Sequence, residues 1–445
     1  MFWFVVLLML AASGAAAQTT SPTTAPKVAD GQTGPLTLRS ERNSGNLLIV
    51  GVSLESLYDN DALSTTAGRL GDLAWNIRPR LALSQSRRRL RWTLDYSPTL
   101  AFNHRLAERD LFTHTFGLDA QYRATRRLTV HLRDSVRVET NLLDGLSQRP
   151  FVPEFGTLDR PNDSFVTPAT RRIYHGAGLD LSYLLGPYTM VGLSGTFAQT
   201  RFRNLPAQPP VGTNLIDSQA QGGRAFFSRR LTRRHSIGAT YQFNAFSFQQ
   251  GQARAVTQSF FYTHSVELTP SMSLSFFVGP DFSRIHNQLL LILNLGSLVG
   301  QFKVNTFSTP SSLSGGATYR WEGNRTVFRA SWVRRVDDGG GLFGASRLQA
   351  ATGELRRQLA HRWTAGVGIS YGTTSILGLS SPVAASRALS ATSDVSWTVA
   401  EHLSLAFRYA HLHQGGYGTS VFNNFNDHDQ FSVSLTYQFA RPLGQ

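Results

Sequence analysis

His411 and His413 share one side of an alternating segment, and Asp427-His428-Asp429 opens the next such segment. Imidazoles and carboxylates at that spacing suit a zinc ion. The same side chains also serve as ordinary polar residues at the rim of a sheet, and the rim role is the expected one. The chain has no cysteine. That removes thiolate zinc, iron–sulfur clusters and a Cys nucleophile. No H-E-x-x-H occurs, and no G-x-S-x-G sits between a strand and a helix. Serine is so abundant that chance pairings with histidine carry no weight. No catalytic residue, metal or cofactor is therefore expected, and the chain does not read as an enzyme.

Charge is the stronger signal. Lys27 and Lys303 are the only lysines among 43 Lys and Arg, so 43 − 2 leaves 41 arginines. Against 28 Asp and Glu the formal net charge is +15. The arginines are not gathered into a nucleic-acid footprint, and no helix is available to enter a groove. Many fall in short connections: Arg87 to Arg91, Arg126 and Arg127, Arg229 to Arg234, Arg356 and Arg357. A second set alternates with apolar residues, which places it on a polar face: Arg78, Arg80, Arg91, Arg123, Arg133, Arg137 and Arg224. Asp72, Asp95, Asp119, Asp180 and Asp394 fall on polar faces as well. Such residues either pair and stiffen a wall, or line an electropositive pore whose low-dielectric walls select anions. Arg78, Arg80, Arg91, Asp95, Asp119, Arg123, Arg133 and Arg137 are the pore-lining candidates.

Two connections are candidates for controlling such a pore. The 139–171 connection carries Phe151, Glu154, Phe155 and Asp159, an acidic and aromatic set suited to a constriction opposite basic lumen residues. The 284–311 connection contains Leu289-Leu290-Leu291-Ile292-Leu293, followed within six residues by Leu295, Leu298 and Val299. An apolar run is costly to expose. It folds into the mouth, packs on a neighbour, or extends the flanking strands.

The elements that must position these residues have period two. Phe431, Val433, Leu435, Tyr437 and Phe439 share one face, and Ser432, Ser434, Thr436 and Gln438 share the other. That is a strand with one apolar and one polar face. The pattern recurs from about Asn46 onward, blurred at 128–138, where Asp134 falls on the apolar face, and at 346–360. Short turns alternate with longer connections. This predicts an all-β fold: a transmembrane antiparallel β-barrel of 16–18 strands, with short periplasmic turns and longer extracellular loops. A soluble sandwich of this length would split into domains, and a propeller would repeat a blade motif. Neither sign is present. Aromatic residues near strand ends match interfacial girdles.

Phe2 to Leu10 form an apolar core ahead of Ala15-Ala16-Ala17, so residues 1–17 read as a cleaved signal peptide. Residues 18–45, rich in Thr, Pro, Ser and Gly, read as a flexible periplasmic leader. Residues 46–439 form the barrel, and 440–445 a C-terminal tail. The last alternating segment, Phe431, Val433, Leu435, Tyr437 and Phe439, resembles the terminal signal by which bacterial outer-membrane barrels are recognised for assembly.

Residues 47–102 resemble the start of a β-barrel porin family whose members often sit with exopolysaccharide or exosortase gene clusters. The resemblance lies in Leu48-Ile49-Val50-Gly51-Val52 running into Tyr58-Asp59-Asn60-Asp61. It continues in Ile77-Arg78-Pro79-Arg80-Leu81-Ala82-Leu83, a basic turn, and Trp92-Thr93-Leu94-Asp95-Tyr96. It implies a passive or export channel with no catalytic residues.

Three functions are expected in order. The first is an outer-membrane porin for passive diffusion of small polar or anionic solutes. The second is a channel component of exopolysaccharide export. The third is a structural or adhesive barrel acting through its loops. The expected partners are outer-membrane lipid, the barrel-assembly machinery, and small polar solutes or polysaccharide.

Overall fold

The structure is a computed structural model. It describes residues 46–62, 70–105, 111–139, 171–203, 215–248, 253–295, 298–340, 344–377, 385–417 and 426–442. Residues 1–17, expected as a signal peptide, residues 18–45, expected as a leader, and the constriction candidates Phe151, Glu154, Phe155 and Asp159 lie outside these residues.

Every element among them is a strand. The first half of the wall is β1 (Leu47–Asp59), β2 (Asp72–Ser86), β3 (Leu90–Asn103), β4 (Leu111–Arg123), β5 (Leu128–Glu139), β6 (Arg171–Gly186), β7 (Thr189–Arg203), β8 (Ser218–Arg230) and β9 (His235–Phe248). The second half is β10 (Ala253–Thr269), β11 (Met272–Leu295), β12 (Leu298–Ser308), β13 (Ser311–Glu322), β14 (Thr326–Asp337), β15 (Ser346–Ala360), β16 (Trp363–Ile376), β17 (Ala385–Ala400), β18 (Leu403–Tyr417) and β19 (Asn426–Pro442). Each strand pairs antiparallel with its chain neighbour, β12 and β13 excepted, and β1 pairs with both β2 and β19. The sheet therefore closes, which leaves no free edge for another chain to extend.

The strand count needs one adjustment. β12 pairs with the upper half of β11, Ile285 to Leu295, while β13 pairs with its lower half, Met272 to Phe282. Between them Pro310 accepts a hydrogen bond from the Ser283 amide at 3.0 Å. β12 and β13 thus descend one neighbour in series, interrupted at Thr309-Pro310. Nineteen strands occupy eighteen wall positions. The apolar run in the 284–311 connection extends the flanking strands, the third of the outcomes its sequence allowed.

Period two separates the two faces. Val50, Val52, Leu54 and Tyr58 of β1, Trp75 and Leu81 of β2, and Leu100 and Phe102 of β3 are exposed on the outside. Their alternates Glu55, Asp59, Asp72, Asn76 and Ala82 are buried on the inside. An apolar exterior over a polar interior is the reverse of a soluble domain. It is the arrangement of a barrel that crosses a bilayer. Stacked Trp363 and Trp397, with centroids 5.5 Å apart, mark the lower girdle at the short-turn end.

Local readings change at the β15 turn and at the end of β19, and one holds. Arg356 and Arg357 do not lie in a turn but within β15, because the turn follows at His361. β19 runs three residues past Phe439, pairing Pro442 with Leu47. Asp134 does occupy the outer face, where His175 Nε2 lies 3.0 Å from its Oδ1. The blur in β5 is therefore a real polar intrusion on the apolar side.

Candidate functional site

The interior wall of β1–β8 carries a ladder of arginines set among carboxylates. On β2, Arg78 lies 2.7 Å from Glu55 of β1, and Asn76 donates to the same carboxylate at 3.1 Å. Arg80 donates to Asp95 of β3 through Nη2 at 2.7 Å and Nε at 2.9 Å. On β5, His131 lies 2.8 Å from Asp119 of β4. Arg133 donates to Asp180 of β6 at 2.8 Å. Arg224 of β8 reaches over β7 to the other oxygen of Asp180 at 3.2 Å. Arg172 of β6 donates to Glu139 at 2.8 Å, and Arg137 lies 3.9 Å from it. Charge-assisted bonds of this kind hold long side chains in fixed poses.

All eight pore-lining candidates sit on this inner face. Arg78, Arg80, Asp95, Asp119, Arg133 and Arg137 belong to the pairs above. Arg91 and Arg123 stand lower, at the short-turn ends of β3 and β4. The period-two rule is enough to place them, because a strand in a closed wall has only two faces.

A second feature escaped the sequence reading. On either side of residues 341–343, the described residues between β14 and β15 turn inward and meet β8 and β9. Ser218 of β8 donates to Asp338 Oδ2 at 2.8 Å. A methyl group on Gly344 would meet the Phe248 ring of β9 at 3.9 Å. Tyr174, Phe246, Phe248, Ile285, Val336, Ala345 and Leu377 form a buried apolar cluster around this contact. These residues come from β6, β9, β11 and β14 and from the segments beside β15 and β16, so the cluster fills one side of the interior.

Residues 337–340 are locally self-supporting. Gly339 and Gly340 have φ of 70° and 63°, a region that glycine enters without a Cβ clash. Asp338 Oδ1 accepts from the Gly340 amide at 3.1 Å, and Asp337 Oδ1 accepts from the Asp338 amide at 2.8 Å. Arg335 holds Asp337 at 2.7 Å. Burial pushes the Asp338 carboxyl up to about 6, and the neighbouring Asp337 carboxylate acts in the same direction. The Ser218 hydroxyl and the Gly340 amide pull it back down. The run Asp337-Asp338-Gly339-Gly340-Gly341 was visible in the sequence. It reads there as an ordinary turn, since nothing local says which way a turn folds.

The histidines are divided between the two faces. His411 lies 2.8 Å from Asp429 and His413 2.5 Å from Asp427, all on the outside of β18 and β19. Tyr409 donates to Asp429 at 2.7 Å. His428 instead faces inward and is buried, 3.6 Å from Asp59 and 3.9 Å from Asp61. Among the described residues no group of three or more His, Asp or Glu is placed to hold a metal. Phe431, Val433, Leu435, Tyr437 and Phe439 are all exposed on the outer face of β19.

No family profile matches the chain, and no curated protein matches it. Solved structures of similar length do align. OpdQ of Pseudomonas aeruginosa aligns at 12% identity and a TM-score of 0.42, covering 89% of this chain and 98% of that one. OpdO of the same organism aligns at 13% identity and 0.44, covering 89% and 97%. OccK2 (OpdF), in a structure with glucuronate, aligns at 8% identity and 0.43, covering 89% and 98%.

Proposed function

We propose that this chain is a bacterial outer-membrane channel through which small polar solutes diffuse passively, with anions favoured. The observation that carries the reading is the arginine ladder on the inner wall of a barrel with an apolar exterior. Fixed guanidinium groups along a low-dielectric wall lower the cost of bringing an anion through. Arg78, Arg80, Arg91, Arg123, Arg133 and Arg137 would contact the passing anion, and Asp95 and Asp119 hold arginine and histidine in place. Asp338, Gly344 and Ala345, packed inward against β8 and β9, narrow the path, so solutes pass singly beside them. Residues 1–17 direct export, and the outward apolar face of β19 serves as the signal for barrel assembly. No catalytic step is assigned.

Single-channel conductance of the refolded mature protein across a salt gradient tests this. The expected result is stable stepwise conductance with an anion-favouring reversal potential. A cation-favouring potential, or a folded but silent barrel, would overturn it.

The resemblance of residues 47–102 supports a second reading, a conduit for exopolysaccharide export. The inward contacts of Asp338 and the buried apolar cluster argue for small solutes over a polymer. A gene neighbourhood of polysaccharide-synthesis enzymes would favour the export reading.

A further inference from the structure

An arc of the barrel exterior is basic where the rest of the outer face is mainly apolar. Arg171 begins β6 and Arg203 ends β7, and the two are direct register partners. Arg201 follows one outward position below, opposite Ile173. Arg254 of β10 and Arg284 of β11 stand at the same rim, with Arg254 opposite His286. All five arginines are exposed, and they share the face of exposed Leu179, Leu193, Phe260 and Phe282. They are therefore outside the lumen and take no part in the ladder.

Between the two arginine groups the outer face stays polar. His175, Gln199, Gln219, Ser247, Arg254 and His286 are successive register partners across β6 to β11. Elsewhere on the rim Tyr58, Trp75, Phe102, Phe112, Tyr371 and Phe431 are exposed, and the polar outer residues of β18 and β19 are histidines set against carboxylates. Like charges directly opposite one another destabilise a sheet. Arg171 and Arg203 stand in that relation, and Asp217, which accepts from the Phe202 amide at 2.8 Å, brings a single negative charge beside the Arg171, Arg201 and Arg203 group. The arrangement calls for an anion from outside the chain.

Height identifies its source. Tyr183, exposed in the lower girdle, lies twelve residues down β6 from Arg171. At about 3.3 Å per residue and a tilt of about 40°, that is about 30 Å, slightly more than the apolar band of a barrel. The arginines thus stand at the head-group level of the outer leaflet. We propose that the outer face of β6–β11 binds a phosphorylated, sugar-bearing lipid of that leaflet. The arginines take the phosphates, and Gln199, Gln219 and Ser247 offer hydrogen bonds to hydroxyl and amide groups. The inference rests on the outer-membrane reading above.

The test uses the refolded mature protein in detergent, titrated with bisphosphorylated lipid A and with its dephosphorylated form, read by native mass spectrometry. The expected result is phosphate-dependent retention. Arg171→Gln/Arg203→Gln/Arg254→Gln/Arg284→Gln should weaken it at least about tenfold while leaving single-channel conductance unchanged. Arg87→Gln/Arg88→Gln, at the opposite rim, should bind as the parent does. Should the fourfold variant not fold, Arg203→Gln alone and the dephosphorylated lipid make the same comparison. Equal binding by parent and variant, binding indifferent to phosphate, or equal loss in the Arg87/Arg88 variant would overturn the proposal. So would an oligomer that the fourfold variant dissociates without change in lipid binding, since the face would then cover a second copy. A silent channel that still retains the lipid would sink the porin reading and leave this one standing.

Discussion

Asp180 is the carboxylate on which two arginines depend. Arg133 and Arg224 approach it from either side at 2.8 and 3.2 Å. Asp180→Asn keeps the shape and removes the charge, leaving two guanidinium groups facing the lumen. The reversal potential should move further toward anions. Unfolding stability should fall by about 1–3 kcal/mol, the cost of weakening a charge-assisted contact in a half-enclosed site. Asp338 makes a different prediction. Its carboxyl is raised to about 6 in the folded chain, above the ordinary Asp value near 3.9. The fold therefore favours the protonated form. Its contribution is fully present below about pH 4 and is lost as pH rises through about 6. Ionised Asp338 then faces Asp337, so the inward turn should loosen. Conductance should be greater at pH 7.5 than at pH 5, with a midpoint near 6. Asp338→Asn keeps the Ser218 contact and should abolish that difference.

Strands behave as their alternation predicts, and connections do not. The polar face of Arg78, Arg80 and Arg133 was legible because a residue in a wall strand has only two directions to point. Asp134 blurs the alternation of β5 because it falls on the apolar face, and the register sets it there beside His175. The inward turn at Asp338 was not legible, because its partner Ser218 lies 120 residues away in the chain. The β11–β12 hairpin was legible only as a set of alternatives, since an apolar run looks the same in a plug and in a strand. Its independence from the wall is testable. The lower half of β11 pairs with β13. Replacing residues 290–303 by Asn-Gly closes the hairpin at Leu289 and Val304, which are register partners. The shortened protein should keep its heat-modifiable mobility on a gel and its conductance. Gly339→Ala should act oppositely. It strains a φ of 70° by roughly 1–2 kcal/mol, and should yield a noisier and larger conductance in an intact barrel.

At the scale of the whole molecule, the wall is polar within, apolar without, and basic along one arc of its outer rim. Closure is the feature that makes the other two possible. The absence of cysteine allows its register to be checked without background. Val52→Cys/Tyr437→Cys pairs direct partners and should cross-link on oxidation, whereas Val52→Cys/Thr436→Cys should not. A one-residue slip would reverse that result and turn every side chain of β19 to the wrong face. The seam also has a kinetic meaning. It joins Leu47–Asp59 to Gln430–Pro442, contacts about as remote in sequence as this chain offers. Bringing such ends together costs about 5 kcal/mol in chain entropy before any bond across them forms. Until that moment the sheet has two ragged margins, each thirteen residues long, and both invite the wrong neighbour. Substitutions at the seam should therefore register first as slow maturation and lost yield, in molecules that conduct normally once they have closed.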